Sequence, residues 1–197
     1  RRKVYGLRAR NAEQMFALDL LLDDEIKLVT LVGKAGTGKT LLALAAGLQK
    51  VNDEGGYRKL LVSRPVIPLG KDIGYLPGEI EDKMNPWMKP VYDNIELLTS
   101  LNTFATEGRG ADARAQGGHR AGPGDFAPER LVDVEPLTYL RGRSIPNQYL
   151  IIDEAQNLTP HEVKTVITRA GVGTKVVLTG DPYQIDNPYL DSVNNGL

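Results

Sequence analysis

The segment that most constrains the fold is a glycine-rich loop between a predicted strand and a predicted helix. Residues 33–40 read Gly-Lys-Ala-Gly-Thr-Gly-Lys-Thr and fit the pattern G-x-x-x-x-G-K-[ST]. A short apolar run over 26–32 precedes the loop, and an alanine- and leucine-rich run over 39–51 follows it without a breaking residue. This is the context of a phosphate-binding loop, because backbone N–H groups and the start of the helix then converge on an anion.

The loop predicts a nucleotide site with ATP and Mg²⁺ as its ligands. Glycines let the backbone curl so that its N–H groups face phosphate oxygens. Lys39 is expected to reach the β- and γ-phosphates, and the hydroxyl group of Thr40 is expected to ligate magnesium. The predicted nucleotide-binding residues of the loop are Gly33, Lys34, Ala35, Gly36, Thr37, Gly38, Lys39 and Thr40.

A second apolar run, over 149–152, ends in Asp153 and Glu154. Downstream of a phosphate loop, an aspartate at the tip of a buried strand is expected to hold the magnesium ion that Thr40 also contacts. Glu154 is expected to polarise a water molecule for attack on the γ-phosphate. The pair favours hydrolysis over phosphorylation of a small molecule, because a base beside the metal-binding carboxylate suits a water nucleophile.

Two glutamines extend the predicted site. A strand over 175–179 runs into the motif Gly-Asp-Pro-Tyr-Gln (180–184), which would put Gln184 near the γ-phosphate. A plain strand-to-turn junction is the alternative interpretation of this motif. Gln14 lies on an amphipathic helix predicted over 11–22, and its side-chain amide can pair with N6 and N7 of adenine. A solvated surface glutamine is the alternative there.

Short apolar strands alternate with helices along the chain, which predicts an α/β fold with a mostly parallel β-sheet. Further strands are expected over 60–63 and 134–139, and further helices over 91–101 and 159–171. Prolines and glycines over 66–90 predict a loop with short helices. Because ligands bind at the carboxyl ends of parallel strands, the motifs described above are expected at one edge of the sheet.

Composition narrows the functional class only slightly. The 197 residues suit one domain, and their net charge of −1 neither supports nor excludes nucleic-acid binding. The chain has no cysteine, which favours a reducing cytoplasm, and no apolar run approaches the length of a membrane span. A Gly/Arg-rich stretch over 103–128 lacks apolar periodicity and predicts a flexible loop or insert. Residues 1–197 are therefore expected to form one domain, as a fragment of a longer chain.

The motifs together resemble two known groups of ATPases. Asn11-x-x-Gln14, the phosphate loop, Asp153-Glu154-Ala155-Gln156 and Gly180-Asp181-x-x-Gln184 are similar to the first RecA-like half of superfamily-1 helicases. With Arg64-Pro65, Gly74-Tyr75-Leu76-Pro77-Gly78, Tyr139-Leu140-Arg141-Gly142-Arg143 and Thr168-Arg169-x-Gly171, the resemblance is closer to PhoH-like ATPases and runs from about residue 10 to the end. It implies a RecA-like P-loop NTPase fold with helices flanking the sheet.

The same resemblance implies RNA unwinding driven by ATP, ring-shaped homo-oligomers and, in some members, a fused PIN-type ribonuclease domain. A superfamily-1 motor closes its site with arginines from a second RecA-like half, which this chain lacks. The closing arginine is then expected from a neighbouring subunit or from outside this chain, and such an arginine raises turnover about a thousandfold or more. Arg169 and Arg64 are the candidates, with an ordinary surface charge as the alternative for each.

Three functional classes stay open. Gln14 and the 180–184 motif favour an ATP-driven motor on RNA or DNA. The bound nucleic-acid strand would contact basic and aromatic residues of the protein. Those residues are Arg64, Lys71, Arg141, Arg143, Tyr75, Tyr139 and Trp87. For each aromatic residue, packing in the core is the alternative. An ATPase switch or protein-remodelling ring would share the phosphate loop, although such ATPases usually carry an asparagine on the strand at 179–181. A nucleotide-binding module without hydrolysis would not need Glu154.

Overall fold

A computed structural model describes residues 3–66, 80–107, 131–140 and 142–197 of the chain. Its centre is a five-stranded sheet in which every neighbouring pair of strands is parallel. These strands are β3 (Leu28–Val32), β4 (Leu60–Arg64), β5 (Val132–Pro136), β6 (Tyr149–Ile152) and β7 (Lys175–Gly180). Two short strands, β1 (Lys3–Val4) and β2 (Leu7–Arg8), form a separate antiparallel hairpin.

Helices cover both faces of the sheet, as predicted for an α/β fold. They are α1 (Ala12–Leu22), α2 (Lys39–Leu48), α3 (Ile80–Glu107) and α4 (Pro160–Ile167). Strand β6 shows why the core has two halves, since successive side chains point to opposite faces. Tyr149 and Ile151 pack in the cluster that includes α1, α2 and α3, whereas Leu150 and Ile152 pack in the cluster that includes α4. All four side chains are fully buried.

The order of the strands, β3-β7-β6-β4-β5, decides which loops become neighbours. Strand β7 lies between β3, which leads into the phosphate loop, and β6, which leads into Asp153. The residues after β7 therefore lie between these two elements at the carboxyl edge of the sheet. On the other side of β6, strand β4 ends at Arg64, so Arg64 also reaches this edge.

Several sequence-based boundaries were wrong, including the end of the helix predicted over 159–171, which ends at Ile167. The helix predicted over 91–101 runs from Ile80 to Glu107, so residues 80–90 and 103–107 are helical instead of loop. Prolines and glycines over 66–90 predicted a loop with short helices, since proline lacks the N–H that a helix interior needs, yet the helix continues through Pro86 and Pro90.

The strand predicted over 134–139 covers Val132–Pro136 and ends in the 3-10 turn Leu137–Leu140. The remaining Gly/Arg-rich residues, 108–128, lie outside the described residues, so that prediction stays untested. No helix in the described parts of the chain is both long enough and apolar enough to cross a membrane.

Candidate nucleotide site

The phosphate loop curls around the side chain of its own lysine. Gly36 and Gly38 have φ angles of +77° and +86°, in the left-handed region that favours glycine. Lys39 begins α2, and its Nζ donates hydrogen bonds to the carbonyls of Gly33 at 2.7 Å and Lys34 at 2.9 Å. The ammonium group thus lies inside the loop, where phosphate oxygens would compete with these carbonyls for its protons.

Asp153 is the centre of the site. Its carboxylate is buried, and Oδ1 accepts hydrogen bonds from the hydroxyl groups of Thr40 at 2.7 Å and Thr179 at 2.6 Å. These bonds join the first turn of α2, the end of β6 and the end of β7. A carboxylate and a hydroxyl group in direct contact are oxygen ligands of the kind that Mg²⁺ prefers, so Thr40 and Asp153 fit the predicted metal site.

Glu154 follows Asp153 with its backbone in a strained conformation. Its φ angle is +57°, which is uncommon for a residue other than glycine and is found disproportionately at functional sites. Both carboxylate oxygens have partners: Oε1 lies 3.3 Å from Nη2 of Arg64, and Oε2 accepts from Nε2 of Gln156. The side chain is 37% exposed, so solvent water can reach the predicted base.

Gln156 joins the elements that carry the site. It is fully buried, and besides Glu154 its Nε2 contacts the backbone carbonyl of Gln184 at 2.9 Å. Its Oε1 accepts from the backbone N–H of Asp181 at 3.2 Å. Sequence reasoning quoted Gln156 only as part of a motif and gave it no role. Its position two residues after the acidic pair was the signal available in the sequence. If this amide is buried it requires hydrogen-bond partners, which predicts contacts within the site.

The motif after β7 is tied directly to the phosphate loop. Oδ2 of Asp181 accepts a hydrogen bond from the backbone N–H of Ala35 at 2.9 Å. Sequence reasoning placed Asp181 at the carboxyl edge of the sheet but did not anticipate this bond. The side chain of Gln184 is exposed, and its backbone is held by Gln156. Its predicted place beside the γ-phosphate stays a prediction.

Gln14 lies at the mouth of the phosphate loop. Its Nε2 donates to the carbonyl of Thr37 at 3.1 Å, and its Oε1 accepts from the backbone N–H of Arg10 at 2.8 Å. Asn11 caps α1 by accepting from the backbone N–H of Gln14 at 2.9 Å. An amide has two N–H hydrogens and an oxygen with two lone pairs, so one position on each atom is left over for adenine.

The two arginine candidates have different surroundings. Arg64 lies in the site of its own chain, where its Nε is 3.4 Å from Oδ2 of Asp153 and its Nη1 donates to the carbonyl of Trp87 at 2.8 Å. Arg169 lies beyond the far end of α4, which is eight residues or about 12 Å long. Its Nε is buried without a hydrogen-bond partner in the described parts of the chain. The backbone carbonyl of Arg169 accepts from the N–H of Ile145 at 3.1 Å, four residues before β6, so the backbone of Arg169 lies toward the amino edge of the sheet and not beside the phosphate loop.

The predicted nucleic-acid contacts are only partly described. Arg143 forms an ion pair with Glu135 at 3.0 Å, and the side chain of Tyr139 is 46% exposed. Trp87 contributes its carbonyl to the contact with Arg64. The other predicted contacts, Lys71, Tyr75 and Arg141, lie outside the described residues.

The curled phosphate loop and the acidic pair at the end of a parallel strand define a RecA-like P-loop NTPase. A family model described as "PhoH-like protein" matches residues 6–197, and the chain belongs to this family. The resemblance found in the sequence motifs is thereby confirmed.

Curated relatives support the same assignment. Protein PhoH2 of Bacillus subtilis (strain 168) is 58% identical over 198 residues, which cover 98% of this chain and 40% of that protein. Protein PhoH2 of Mycolicibacterium smegmatis is 43% identical, over 94% of this chain and 38% of that protein. The chain thus spans about two fifths of the length of these relatives.

Among solved structures, the Sulfolobus solfataricus SWI2/SNF2 ATPase core in complex with dsDNA is similar, with a TM-score of 0.48 and 16% identity. This match covers 98% of the present chain and 36% of that one.

Proposed function

We propose that the chain hydrolyses ATP with Mg²⁺ and couples the hydrolysis to binding and unwinding RNA or single-stranded DNA. The observation that carries the proposal is the contact of Asp153 with both Thr40 and Thr179, with Glu154 beside it. Three segments distant in sequence thereby meet at one edge of the sheet: two supply a hydroxyl group each, and the third supplies the carboxylate proposed to bind metal and the proposed base. The proposed location is the cytoplasm, which suits a cysteine-free chain.

The residues of the chain would divide the work as follows. Backbone N–H groups of 33–40 and the ammonium of Lys39 bind the phosphates, and Glu154 accepts a proton from the attacking water. Thr40 and Asp153 would hold Mg²⁺, which supplies positive charge that stabilises the transferring phosphoryl group. Gln14 would select adenine through the free positions on its amide.

Coupling to a nucleic acid is supported by the bonds of the motif after β7. Asp181 is bonded to the backbone of Ala35 in the phosphate loop, and Gln156 bonds both to Glu154 and to the backbone of Gln184. A change at the γ-phosphate would therefore be passed to residues 181–184 through two direct routes. A motor requires such a connection between the nucleotide and other parts of the protein, whereas a passive binding module does not require one.

A homo-oligomeric ring is part of the proposal. Arg169 is an arginine beyond the far end of α4, and its guanidinium has a buried nitrogen without a partner in the described residues. In a ring it would close the site of a neighbouring subunit, where an arginine finger raises turnover about a thousandfold or more. Arg169→Ala is then expected to impair turnover without preventing ATP binding.

The test is the rate of ATP hydrolysis with Mg²⁺, with and without single-stranded RNA or DNA. The protein would be compared with Lys39→Ala and Glu154→Gln, and with Lys27→Ala and Glu25→Gln as matched exposed controls. Turnover stimulated by nucleic acid and lost only in the first pair would support the proposal. Turnover indifferent to RNA and DNA would contradict the motor and favour an ATPase switch or a protein-remodelling ring. Nucleotide binding without turnover would favour a binding module.

A further inference from the structure

We propose that Arg64 is a positioning residue that restrains Glu154 and competes with the divalent cation for Asp153. The inference deepens the proposed function and rests on it for the role of Glu154. Neither the sequence motifs nor family membership assigns Arg64 this role. The sequence suggested instead that Arg64 closes the site of a neighbour or touches a nucleic-acid strand.

The strand register puts Arg64 in the site. Ser63 of β4 pairs with Ile152 of β6, and the backbone N–H of Asp153 donates to the carbonyl of Ser63 at 2.9 Å. The next residues are therefore Arg64, the last residue of β4, and Asp153, the first residue after β6, and they lie side by side on the same face. Because backbone pairing fixes the positions of both residues, their contact follows from the strand register.

The guanidinium of Arg64 spans three acceptors. Nε lies 3.4 Å from Asp153 Oδ2, Nη2 lies 3.3 Å from Glu154 Oε1, and Nη1 donates to the carbonyl of Trp87 at 2.8 Å. The Arg64 side chain is only 19% exposed and that of Asp153 only 7%, so solvent screens this contact less than it would a surface ion pair. The fork of the guanidinium suits such a contact, whereas the single ammonium group of a lysine cannot span it.

These contacts would make Arg64 compete with the cation for the carboxylate of Asp153. Two hydroxyl groups hold Oδ1 of Asp153, and Arg64 faces the remaining oxygen, Oδ2. A positive charge at this oxygen reduces the negative potential that a divalent cation needs. Removal of Arg64 is therefore expected to tighten cation binding at Thr40 and Asp153.

The same contacts restrain the base. Oε1 of Glu154 faces Arg64 and Oε2 accepts from Gln156, so the carboxylate is held at both oxygens. A carboxylate held at both oxygens is not free to turn towards the attacking water. Full activity then requires Arg64 to withdraw from Glu154.

Helix α3 is the element that could make it withdraw. The short hydrogen bond to the carbonyl of Trp87 ties the guanidinium to the first half of α3. A shift of this part of the helix would move Arg64 relative to Glu154, which follows the end of β6. Nucleic acid would then stimulate turnover by moving α3. In a variant without Arg64 the restraint on Glu154 is already absent, so nucleic acid should stimulate its turnover much less.

The variants for the test are Arg64→Ala and Arg64→Lys. Lys59→Ala is the matched control, since Lys59 precedes the same strand and pairs with Asp133 at 2.8 Å, away from the site. The first readout is binding of Mn²⁺ without nucleotide, followed by electron paramagnetic resonance. The second is ATP turnover with and without single-stranded RNA, with thermal unfolding as a check on the fold.

We expect Arg64→Ala to bind Mn²⁺ roughly threefold or more tightly, to raise unstimulated turnover and to lower the ratio of stimulated to unstimulated turnover. Arg64→Lys should restore weak Mn²⁺ binding but not the restraint on turnover. Unchanged Mn²⁺ affinity in a folded Arg64→Ala would overturn the competition, whether or not the wild-type protein hydrolyses ATP. Lowered turnover in that variant would overturn the restraint and make Arg64 part of the catalytic machinery. Absence of turnover in the wild type would count against the proposed function alone.

Discussion

The two ends of strand β6 are both buried and both polar, yet they serve different purposes. At the amino end, Tyr149 donates its hydroxyl hydrogen to the carbonyl of Leu21 at 3.1 Å. Its ring meets that of Tyr57 edge-on, with centroids 5.5 Å apart. At the carboxyl end, Asp153 and Glu154 contact hydroxyl, amide and guanidinium groups from four other elements of the chain.

The difference lies in what the partners can do. Tyr149 bonds to a backbone carbonyl at the end of α1, which no ligand can replace without unfolding the helix end. Lys175 does the same nearby, with Nζ 2.9 Å from the carbonyl of Leu20 and 2.6 Å from that of Asp23. At the carboxyl end the partners are side chains with other bonding capacity, so substrate can take their place. One end therefore contributes mainly to stability and the other mainly to function.

The largest expected effect is on catalysis at the carboxyl end. Glu154→Gln should lower kcat by about 10²–10⁴-fold, because the amide cannot accept the proton of the attacking water. Nucleotide binding and the free energy of unfolding should change little. Steady-state turnover, binding of a fluorescent ATP analogue and urea denaturation would measure these quantities. If Glu154→Gln lowered the free energy of unfolding as much as the substitution of Tyr149 described next, the proposed difference between the two ends of β6 would be wrong.

The next effect is on stability at the amino end. Tyr149→Ala removes a fully buried ring and should lower the free energy of unfolding by about 3–5 kcal/mol. Tyr149→Phe removes only the hydroxyl group and should cost about 1 kcal/mol. Below their unfolding temperatures, both variants should keep the kcat of the wild type. A kcat that falls in proportion to stability would mean that β6 transmits strain from one end to the other.

The amino end should also impose a pH dependence on stability. Burial lowers the pKa of Lys175 from 10.5 to about 8. Between pH 8 and 10.5 the unfolded chain then binds more protons at this residue than the folded protein, so the free energy of unfolding rises with pH. Burial has the opposite effect on Tyr5 and raises its pKa from 10.0 to about 12. Above pH 10 the folded protein keeps a proton that the unfolded chain loses, so the free energy of unfolding falls.

Together these shifts predict a maximum of stability at about pH 9–10, reached after a rise of roughly 1–2 kcal/mol from pH 8. Urea denaturation at a series of pH values would measure it. Lys175→Met should remove the rise and leave the fall above pH 10, whereas the exposed control Lys164→Met should keep both. The same rise in Lys175→Met as in the wild type would show that another group causes it.

How much of this the sequence predicts depends on how local each feature is. Strands β4, β6 and β7 were predicted to within one residue at each end, since runs of apolar residues buried on both faces are distinctive. Strand β5 was not, because Asp133 and Glu135 interrupt its apolar pattern. Their charges are matched by Lys59 and Arg143, which lie on other segments and cannot be inferred from composition.

The candidate site divides in the same way. The phosphate loop and the acidic pair are contiguous motifs and were recognised. The contacts of Arg64 and Gln156 were missed because they depend on which strands are neighbours. Arg64 reaches Asp153 only through the pairing of β4 with β6, and Gln156 reaches Gln184 only because β7 lies beside β6. Strand order is a property of the whole sheet that no single motif contains.

Helix α1 joins the two kinds of region, and the smallest predicted effect tests it. Its first turn carries Gln14, bonded to Thr37 in the phosphate loop, whereas its last turn accepts hydrogen bonds from Tyr149 and Lys175. If Gln14 selects adenine, Gln14→Ala should lower the preference for ATP over GTP by roughly fivefold, near the low end of what a bidentate contact to a base contributes. The free energy of unfolding should change by no more than about 0.5 kcal/mol, since the side chain is only half-buried.

Competition of the two nucleotides for a fluorescent analogue would measure the preference of Gln14→Ala. Glu13→Ala, which changes an exposed neighbour on the same turn, should leave the preference as it is in the wild type. An unchanged preference combined with weaker binding of both nucleotides would mean that Gln14 only braces the phosphate loop, through its bonds to the backbone at 10 and 37. Helix α1 would then belong entirely with the stabilising end of the molecule, and selection of the base would have to come from another element.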